Sequence, residues 1–354
     1  MYFYKIIENY LERIKVKNNR ILVTGSAGFI GFHLSKLLLS QGFEVHGYDG
    51  LTKYYDVNLK IDRHKMLAEF SNFSHTIGML EDQALFENTL NKFNPDIVIH
   101  LAAQAGVRYS LENPRAYIDS NIVGTFNVIE SAQRNKVSHL LMASTSSVYG
   151  ANVKMPFNED DKADTQLTMY ASTKKANESM SHCYSYLYQL PITVFRFFTV
   201  YGPWGRPDMA LFKFTNGILN QEPIDIYNNG EMCRDFTYVD DLVHSIRLLI
   251  DTTPERGKQV SKADSISNVA PHRIVNIGNS DKIKLLDFIE IIENELGIKA
   301  IRNMMPMQIG DVTETFADVS LLKSLTGFNP KTNIKDGVSN FINWYKQYYG
   351  IKKK

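Results

Sequence analysis

The stretch Thr24-Gly25-Ser26-Ala27-Gly28-Phe29-Ile30-Gly31 decides the predicted fold of this chain. It follows the apolar run at residues 21–23 and precedes a segment with helical spacing. Glycine weakens helices, so three of them at a strand-to-helix junction need a physical reason. A helix N-terminus offers free N–H groups to an anion, and glycines let a phosphate reach them. In this register Gly25 permits the turn, Gly28 the close approach and Gly31 the packing of helix on strand.

An acidic residue at the end of the next predicted strand supports a ligand at this turn. Asp49 follows residues 44–48 and stands 18 positions after Gly31. A carboxylate there can hold both hydroxyls of an adenosine ribose and would repel a 2′-phosphate, which favours NAD over NADP. The alternatives remain a plain tight turn at the glycines and a turn aspartate, because Asp49-Gly50 is a strong turn pair.

Strands and helices alternate through the first half of the chain. Apolar strands are predicted at residues 96–101, 139–144 and 192–197, with helices at 121–133 and 171–187 between them. This order predicts an α/β fold, a Rossmann-type doubly wound parallel sheet with a smaller C-terminal α/β substrate lobe. We assign residues 1–19 to a helical N-terminal extension and 20–197 to a dinucleotide-binding domain to which 235–251 return. Residues 198–234 and 273–350 form the predicted lobe.

Composition excludes several classes of function. The formal net charge of +1 shows no basic excess of the kind that nucleic-acid binders carry. No window holds the continuous apolar run of about 18 residues that a spanning helix needs. The two cysteines, Cys183 and Cys233, offer neither a disulfide framework nor a metal-ligand spacing. We therefore predict a cytoplasmic protein without a metal, a nucleic-acid partner or a membrane partner.

Two sites in the middle of the chain carry candidate catalytic groups. Tyr170 and Lys174 lie four residues apart, which places a phenol and an ammonium on one helix face. A neighbouring positive charge lowers the pKa of a phenol, so Tyr170 could take a proton from a sugar hydroxyl. The stretch Ser144-Thr145-Ser146-Ser147-Val148-Tyr149-Gly150 follows a buried strand, at the sheet edge where ligands bind. An exposed tyrosine, a solvated lysine and a self-satisfied Ser/Thr turn are the alternatives.

Taken in order, these features resemble the extended short-chain dehydrogenase/reductase family, specifically its nucleotide-sugar epimerases. The resemblance covers residues 20–345 and rests on the glycine turn, Asp49, His100-Leu101-Ala102-Ala103, the serine-rich stretch and the Tyr170/Lys174 pair. It implies that NAD is the cofactor and that Thr145 joins Tyr170 and Lys174 in catalysis. The implied cofactor-binding residues are Gly25, Gly28, Phe29, Ile30, Gly31, Asp49, Leu101, Ala102, Ala103, Asn121, Tyr170 and Lys174.

Longer stretches resemble UDP-glucuronate 4-epimerases. They are residues 54–60, residues 104–110, which include Arg108, and residues 196–210, which run from Arg196 to Ala210. Related dehydratases carry an Asp-Glu pair after the catalytic Thr, whereas this chain has Ser146 and Ser147. The resemblance therefore implies reversible C4 epimerisation of UDP-glucuronate to UDP-galacturonate through a 4-keto sugar. Gly50 and Met79 depart from the family, which tends to have Asn and an acidic residue there.

The implied substrate contacts divide between the two ends of a UDP-sugar. We expect Ser146, Ser147, Thr199 and Arg206 to hold the sugar carboxylate, so that the β-keto acid formed at C4 does not lose CO₂. Arg234 matches a diphosphate-binding arginine, Asp311 a residue near the nucleotide ribose or diphosphate, and Tyr227 a platform for uracil. Arg108 and Ala210 complete the expected set. The alternatives are a surface ion pair for Arg234, a helix or turn cap for Asp311, and a place in the core of the lobe for Tyr227.

Other functions remain open at this point. The chain could be a 4-epimerase of a UDP-N-acetylhexosamine or its uronic acid, a UDP-glucuronate decarboxylase, or a non-catalytic NAD-binding scaffold. Intact Thr145, Tyr170 and Lys174 weigh against the scaffold. The family resemblance also implies a homodimer formed through paired helices.

Overall fold

The computed structural model describes residues 19–351, so the predicted N-terminal helix lies, apart from residue 19, outside the described residues. The strands are β1 (Arg20–Thr24), β2 (Glu44–Asp49), β3 (Phe73–Ile77), β4 (Ile97–His100), β5 (His139–Thr145), β6 (Ile192–Phe197), β7 (Thr199–Tyr201), β8 (Pro223–Ile226), β9 (Cys233–Tyr238), β10 (His272–Ile277), β11 (Lys282–Lys284) and β12 (Ile301–Met304). The α-helices are α1 (Phe29–Ser40), α2 (Val57–Ala68), α3 (Gln83–Phe93), α4 (Tyr109–Glu112), α5 (Pro114–Tyr117), α6 (Thr125–Arg134), α7 (Met169–Tyr188), α8 (Ala210–Asn220), α9 (Val239–Ile250), α10 (Leu285–Leu296), α11 (Ser320–Thr326) and α12 (Ile334–Tyr348). A π-helix at Ile118–Gly124 leads into α6, and short 3₁₀ turns occupy Ser146–Tyr149 and Tyr227–Gly230.

The central sheet is parallel throughout and confirms the predicted fold class. Its strand order is β10-β6-β5-β4-β1-β2-β3. Helices cover both faces of the sheet, and its central strands carry mostly apolar side chains for that reason. Ile21 and Val23 pack into one buried cluster, and Leu22 packs into the cluster on the opposite face. The chain winds outward from β1 to β3 and returns at β4, so a crevice opens between the carboxyl ends of β1 and β4.

The smaller lobe has its own core beside the carboxyl ends of the large sheet. It contains the three-stranded sheet β11-β9-β7 and the two-stranded sheet β12-β8. Phe236 of β9 stacks on Phe288 of α10 with ring centroids 4.3 Å apart. Helices α8, α10 and α12 complete this core with Phe212, Ile289 and Phe341.

Two predicted boundaries are wrong. Residues 235–238 were assigned to the dinucleotide-binding domain, but they lie in β9 of the three-stranded sheet of the smaller lobe. Residues 273–350 were all assigned to the smaller lobe, but β10 pairs with β6 at the edge of the large sheet. Leu321 and Leu322 of α11 likewise pack into the core cluster of that sheet. Helix α9 lies against α1 on the same body. The chain therefore crosses between the two bodies several times after residue 197.

None of the helices within residues 19–351 is both long enough and apolar enough to cross a membrane.

Candidate active site

A cleft of about 440 Å³ opens at the carboxyl ends of the parallel strands, against the smaller lobe. Residues that follow β1, β2, β4, β5 and β6 line it from the large sheet. Arg234 and Asp311 line it from the side of the lobe. This is the edge at which doubly wound sheets bind ligands.

The glycine turn forms one wall of the cleft. Gly25 has a φ of +77°, and a side chain there would lie 2.8 Å from the backbone nitrogen of Ala102. A side chain at Gly31 would collide with the carbonyl oxygen of Gly25, so the helix could not sit this close to the turn. Gly28 is the N-cap of α1 and makes no side-chain cap, which leaves the first N–H groups of the helix free for an anion. Phe29 and Ile30 line the cleft beside them.

Asp49 lies at the end of β2, as predicted, and lines the cleft. Its Oδ2 accepts a hydrogen bond from the Ala27 N–H at 3.0 Å, and its Oδ1 accepts one from the Leu51 N–H at 2.8 Å. Each carboxylate oxygen keeps a second lone pair, so the fixed carboxylate can still accept hydrogen bonds from two hydroxyls. Met79 lies against Gly50, where a side chain at position 50 would collide with its Sδ.

Leu101, Ala102 and Ala103 follow β4 and line the cleft opposite the glycine turn. Asn121 does not line it. Its side chain is buried and bonds the backbone of Gln104, with the Oδ1 accepting from N–H at 2.8 Å and the Nδ2 donating to C=O at 3.0 Å. The same Nδ2 donates to Thr173 Oγ1 at 3.1 Å. Asn121 thus ties the loop after β4 to helix α7.

The three candidate catalytic side chains meet in the middle of the cleft. Thr145 is the last residue of β5, and its hydroxyl accepts a hydrogen bond from the Ser147 N–H at 3.2 Å. Tyr170 and Lys174 are one turn apart at the start of α7, whose N-cap Thr168 accepts from the Ala171 N–H. All three candidates line the cleft, and Lys174 is only 2% exposed.

The pKa of the Tyr170 phenol is raised, whereas the sequence predicts that it is lowered. Burial raises the pKa of Tyr170, while the Thr145 hydroxyl and the Arg206 charge act in the opposite direction. Burial lowers the pKa of Lys174 to about 8, against the attraction of Glu178. Desolvation therefore outweighs the opposing effects of Thr145 and Arg206. A further positive charge in the cleft would lower the pKa of Tyr170.

A buried ion pair fixes helix α7 to the large sheet beneath these groups. Arg196 on β6 donates from Nε and Nη2 to the two oxygens of Glu178, each at 2.9 Å, and both side chains are 2% exposed. Ser144 donates to Glu178 Oε1 at 2.6 Å. Burial would raise the pKa of Glu178, but Arg196 holds it at about 2. Because Glu178 lies one turn after Lys174, this pair sets the position of the catalytic helix.

The far end of the cleft is lined by hydroxyl groups and one arginine. Ser146, Ser147, Thr199 and Arg206 all line it, as the sequence predicts. Asp208 accepts a hydrogen bond from Arg206 Nε at 3.0 Å and another from the Tyr54 hydroxyl at 3.2 Å. The Arg206 guanidinium is therefore held at a fixed place while its charge stays close to the cleft. The hydroxyl groups at this end can bind a carboxylate, and the neighbouring acid, Asp208, is paired with Arg206.

Arg234 and Asp311 line the cleft from the smaller lobe. Arg234 Nη1 donates to the carbonyl oxygens of Cys233 and Thr313, at 2.9 and 3.1 Å. Burial lowers the pKa of Arg234, and Asp311 opposes that shift. Such a guanidinium, bonded to neutral carbonyls, can bind phosphate oxygens strongly.

Three of the predicted substrate residues lie outside the cleft wall. The Arg108 Nη2 pairs with Asp311 Oδ2 at 3.2 Å, and its guanidinium covers the ring of Tyr227 at 4.2 Å. One face of Tyr227 is thus already occupied by Arg108. Ala210 begins α8 and lines a small neighbouring cavity instead.

The sequence did not single out Lys60 as a site residue. Lys60 lines the cleft near Asp49, and its Nζ donates to the Thr52 carbonyl at 2.7 Å and lies 4.4 Å from the centre of the Tyr55 ring. Burial lowers the pKa of Lys60, and Asp49 acts against this shift. The available signal was helix register, because Asp56 caps α2 and places Lys60 one turn into it.

The sequence and the structure of this chain are both similar to those of known epimerases. A model of the NAD dependent epimerase/dehydratase family matches residues 21–278. A probable UDP-glucuronate 4-epimerase of Rhizobium meliloti is 53% identical over 333 residues, 93% of this chain and 98% of that protein. UDP-glucuronate 4-epimerase 1 of Arabidopsis thaliana is 42% identical over 94% of this chain and 78% of its own. The crystal structure of UDP-glucuronic acid 4-epimerase from Bacillus cereus with UDP-glucuronic acid and NAD superposes with a TM-score of 0.83 at 32% identity, covering 93% of this chain and 100% of that one.

Proposed function

The chain belongs to the NAD dependent epimerase/dehydratase family, and on that premise we propose that it interconverts UDP-glucuronate and UDP-galacturonate by inverting C4 of the sugar. The observation that carries this proposal is the set of side chains that line the cleft. Thr145, Tyr170 and Lys174 lie beside a sugar end that is lined by Ser146, Ser147 and Thr199. The first group suits removal of a hydroxyl proton, and the second suits a carboxylate.

The residues around the glycine turn fit NAD. The turn has no side chain where a diphosphate would approach, and the Asp49 carboxylate is fixed where the adenosine ribose hydroxyls would lie. Bound NAD supplies a hydride acceptor for C4 and returns the same hydride to the opposite face of the sugar. Since the net redox change is zero, no external oxidant is needed.

The chain supplies the proton transfer. Tyr170 accepts the proton of the 4-hydroxyl, with Thr145 sharing the hydrogen bond and Lys174 holding positive charge below the phenol. The positive charge of bound NAD adds to that of Lys174 and so offsets the burial that raises the pKa of Tyr170. Once the 4-keto sugar has turned within the cleft, Tyr170 returns the proton on the other face. Arg234 holds the diphosphate, about which the sugar turns, and Asp311 completes that end.

One assay separates this function from its rivals. Purified protein is incubated with UDP-glucuronate, and the products are followed by NMR. We expect UDP-galacturonate. UDP-pentose would indicate the decarboxylase, while reaction only with UDP-N-acetylhexosamines or their uronic acids would indicate the other epimerase. No change in any UDP-sugar would indicate the scaffold.

The carboxylate contact of Thr199 gives a first prediction. Loss of CO₂ breaks the bond between C5 and the carboxyl carbon, and its electron pair conjugates with the C4 carbonyl before C5 is protonated. We propose that Thr199 holds the carboxylate so that its bond to C5 does not align with the π system of the C4 carbonyl. We expect Thr199→Val to raise the share of turnovers that end in UDP-pentose and CO₂ about tenfold, the value of one hydrogen bond to a charged group.

The matched control is Thr237→Val on the strand next to Thr199. Within residues 19–351, the Thr237 hydroxyl is buried without a hydrogen-bond partner, and it lies outside the cleft wall. This variant should leave the product ratio unchanged. An unaltered ratio in Thr199→Val, together with an unaltered rate of epimerisation, would remove Thr199 from the carboxylate site.

We further propose that the chain forms a homodimer through α6 and α7. Phe126 and Tyr188 expose 37% and 52% of their surface, and Tyr184 lies between them with ring centroids 6.2 and 5.3 Å away. This row of aromatic side chains on two adjacent helices suits a second copy related by a two-fold axis. Light scattering should report a dimer for the full chain and a monomer for Phe126→Glu combined with Tyr188→Glu. Val153→Glu, at a residue 91% exposed elsewhere, should stay dimeric.

The two free cysteines of the described chain fit the reducing cytoplasm, where we place the reaction.

A further inference from the structure

Arg63 is a buried cation that the proposed reaction does not use. It lies on α2, is 0% exposed, and is absent from the wall of the cleft. Within residues 19–351, each hydrogen bond of its guanidinium goes to an uncharged oxygen, and its Nε has no partner. A cation buried without a countercharge costs free energy, so its position here needs a reason beyond packing.

The three acceptors belong to three separate segments of the chain. Arg63 Nη1 donates to the Ala27 carbonyl at 2.8 Å and to the Tyr55 hydroxyl at 2.9 Å. Its Nη2 donates to the Trp204 carbonyl at 2.6 Å. Ala27 belongs to the glycine turn, Tyr55 to the segment between β2 and α2, and Trp204 to the turn after β7. One side chain thus joins parts of the chain that lie 141 residues apart in sequence.

Two of these segments carry opposite ends of the cleft. The Ala27 N–H donates to Asp49 at 3.0 Å, so the same peptide unit serves the cofactor end. Trp204 stands two residues before Arg206, at the sugar end, and has a φ of +59°. Such a left-handed backbone is strained in a residue other than glycine and must be held by its surroundings. The bond from Arg63 is one of the contacts that hold it.

We propose that Arg63 is a positioning residue that fixes the turn carrying Arg206 relative to the glycine turn, and thereby couples the cofactor end of the cleft to the sugar end. This inference rests on the proposed function for the identity of the ligands. Its physical basis is the planar fork of the guanidinium, which reaches three acceptors at once. A lysine ammonium at the same place keeps the charge but lacks the fork.

The first test measures binding alone, by calorimetry on the full chain freed of nucleotide. Arg63→Met should weaken the affinity for NAD about tenfold, because it removes a charge-assisted hydrogen bond that orders the glycine turn. The affinity for UDP without its sugar, bound at Arg234, should change by less than about twofold. Lys65→Met is the matched control, since Lys65 is an exposed cation on the same helix that pairs with Asp62, and it should alter neither affinity. Equal weakening of NAD and UDP would indicate a merely structural residue and overturn the proposal, as would unchanged NAD affinity.

The second test is a double-mutant cycle with Arg206. Arg206→Met alone should raise the KM for UDP-glucuronate about tenfold, but less than about threefold when Arg63 is already Met. Additive effects would overturn the proposal. Should Arg63→Met not fold, Arg63→Lys serves in its place. Because the ammonium lacks the planar fork, this variant should likewise reduce the effect of Arg206→Met to less than about threefold. The NAD measurement needs no sugar, so it tests Arg63 independently of the proposed substrate. If the protein does not epimerise UDP-glucuronate but Arg63→Met still weakens NAD binding, the proposed substrate is wrong and the role of Arg63 at the cofactor end is supported.

Discussion

Replacing Tyr170 with Phe is expected to lower kcat for the interconversion of the two UDP-uronates by about 10²–10⁴-fold, the usual contribution of a positioned acid–base group. The phenol is the titratable group at the centre of the cleft that can take and return the proton of the 4-hydroxyl. Phe keeps the ring, and hence its contact with Tyr117, whose ring centroid lies 6.0 Å away. Binding of UDP-glucuronate should therefore survive.

The control for this variant is Tyr186→Phe on the same helix. Tyr186 is 52% exposed and does not line the cleft, so its hydroxyl should be dispensable. Product formation is measured by NMR, and bound cofactor is quantified in both variants. Undiminished turnover by Tyr170→Phe would contradict the proposed mechanism directly, because no other side chain is assigned to the proton.

The second large effect concerns stability. Arg196→Met removes the buried partner of the Glu178 carboxylate and leaves the partly exposed Lys175 as its countercharge. Removing one member of a buried pair costs about 3–5 kcal/mol. Urea unfolding followed by circular dichroism should show that loss. The double variant Arg196→Met with Glu178→Met should be more stable than Arg196→Met alone, since it no longer buries a carboxylate that lacks Arg196. A single variant as stable as the unmodified protein would show that the pair contributes nothing to folding.

The same pair predicts a pH dependence. Arg196 holds the pKa of Glu178 at about 2 in the folded protein, below the ordinary 4.5. A carboxyl with a depressed folded pKa stabilises the protein fully above its unfolded value and loses that contribution as the pH falls towards the folded value. The free energy of unfolding of the unmodified protein should therefore fall between about pH 4.5 and 2, as Glu178 becomes protonated. In Arg196→Met this contribution to the acid limb should be smaller, because Lys175 and Ser144 are then the groups that lower the pKa of Glu178.

Most of the strands that the sequence predicted contain unbroken apolar runs. Residues 21–23, 97–99 and 140–142 are apolar because helices cover both faces of the sheet. Strand β10 was missed, although it belongs to the same sheet, because it carries buried polar side chains. Arg273 pairs with Asp264, nine residues away, and Asn276 pairs with Tyr149, and neither partner is recognisable from the sequence. Tertiary pairing, rather than hydropathy, makes that segment a strand.

The residues of the candidate site divide in the same way, into those that sequence patterns predict and those that only tertiary contacts place. Gly25, Asp49, Tyr170 and Lys174 were predicted from their positions relative to a strand or within a helix turn. Thr145 was predicted from the family resemblance, and all five residues line the cleft. Arg63 was not found, since it is one of 39 basic residues and its acceptors are two backbone carbonyls and a phenol. No spacing rule encodes a contact between a helix and a turn 141 residues later.

The repeated crossing of the chain between the two bodies restricts how the protein can be recombined with its relatives. The segment formed by α9 and β10, and helix α11, both pack with the large sheet, yet segments of the smaller lobe precede and follow each of them in the chain. A chimera made by joining the first half of one gene to the second half of another would therefore mix both hydrophobic cores. Changing substrate preference by grafting would require separate exchanges of residues 198–238, 278–316 and 327–351, with the intervening segments left in place.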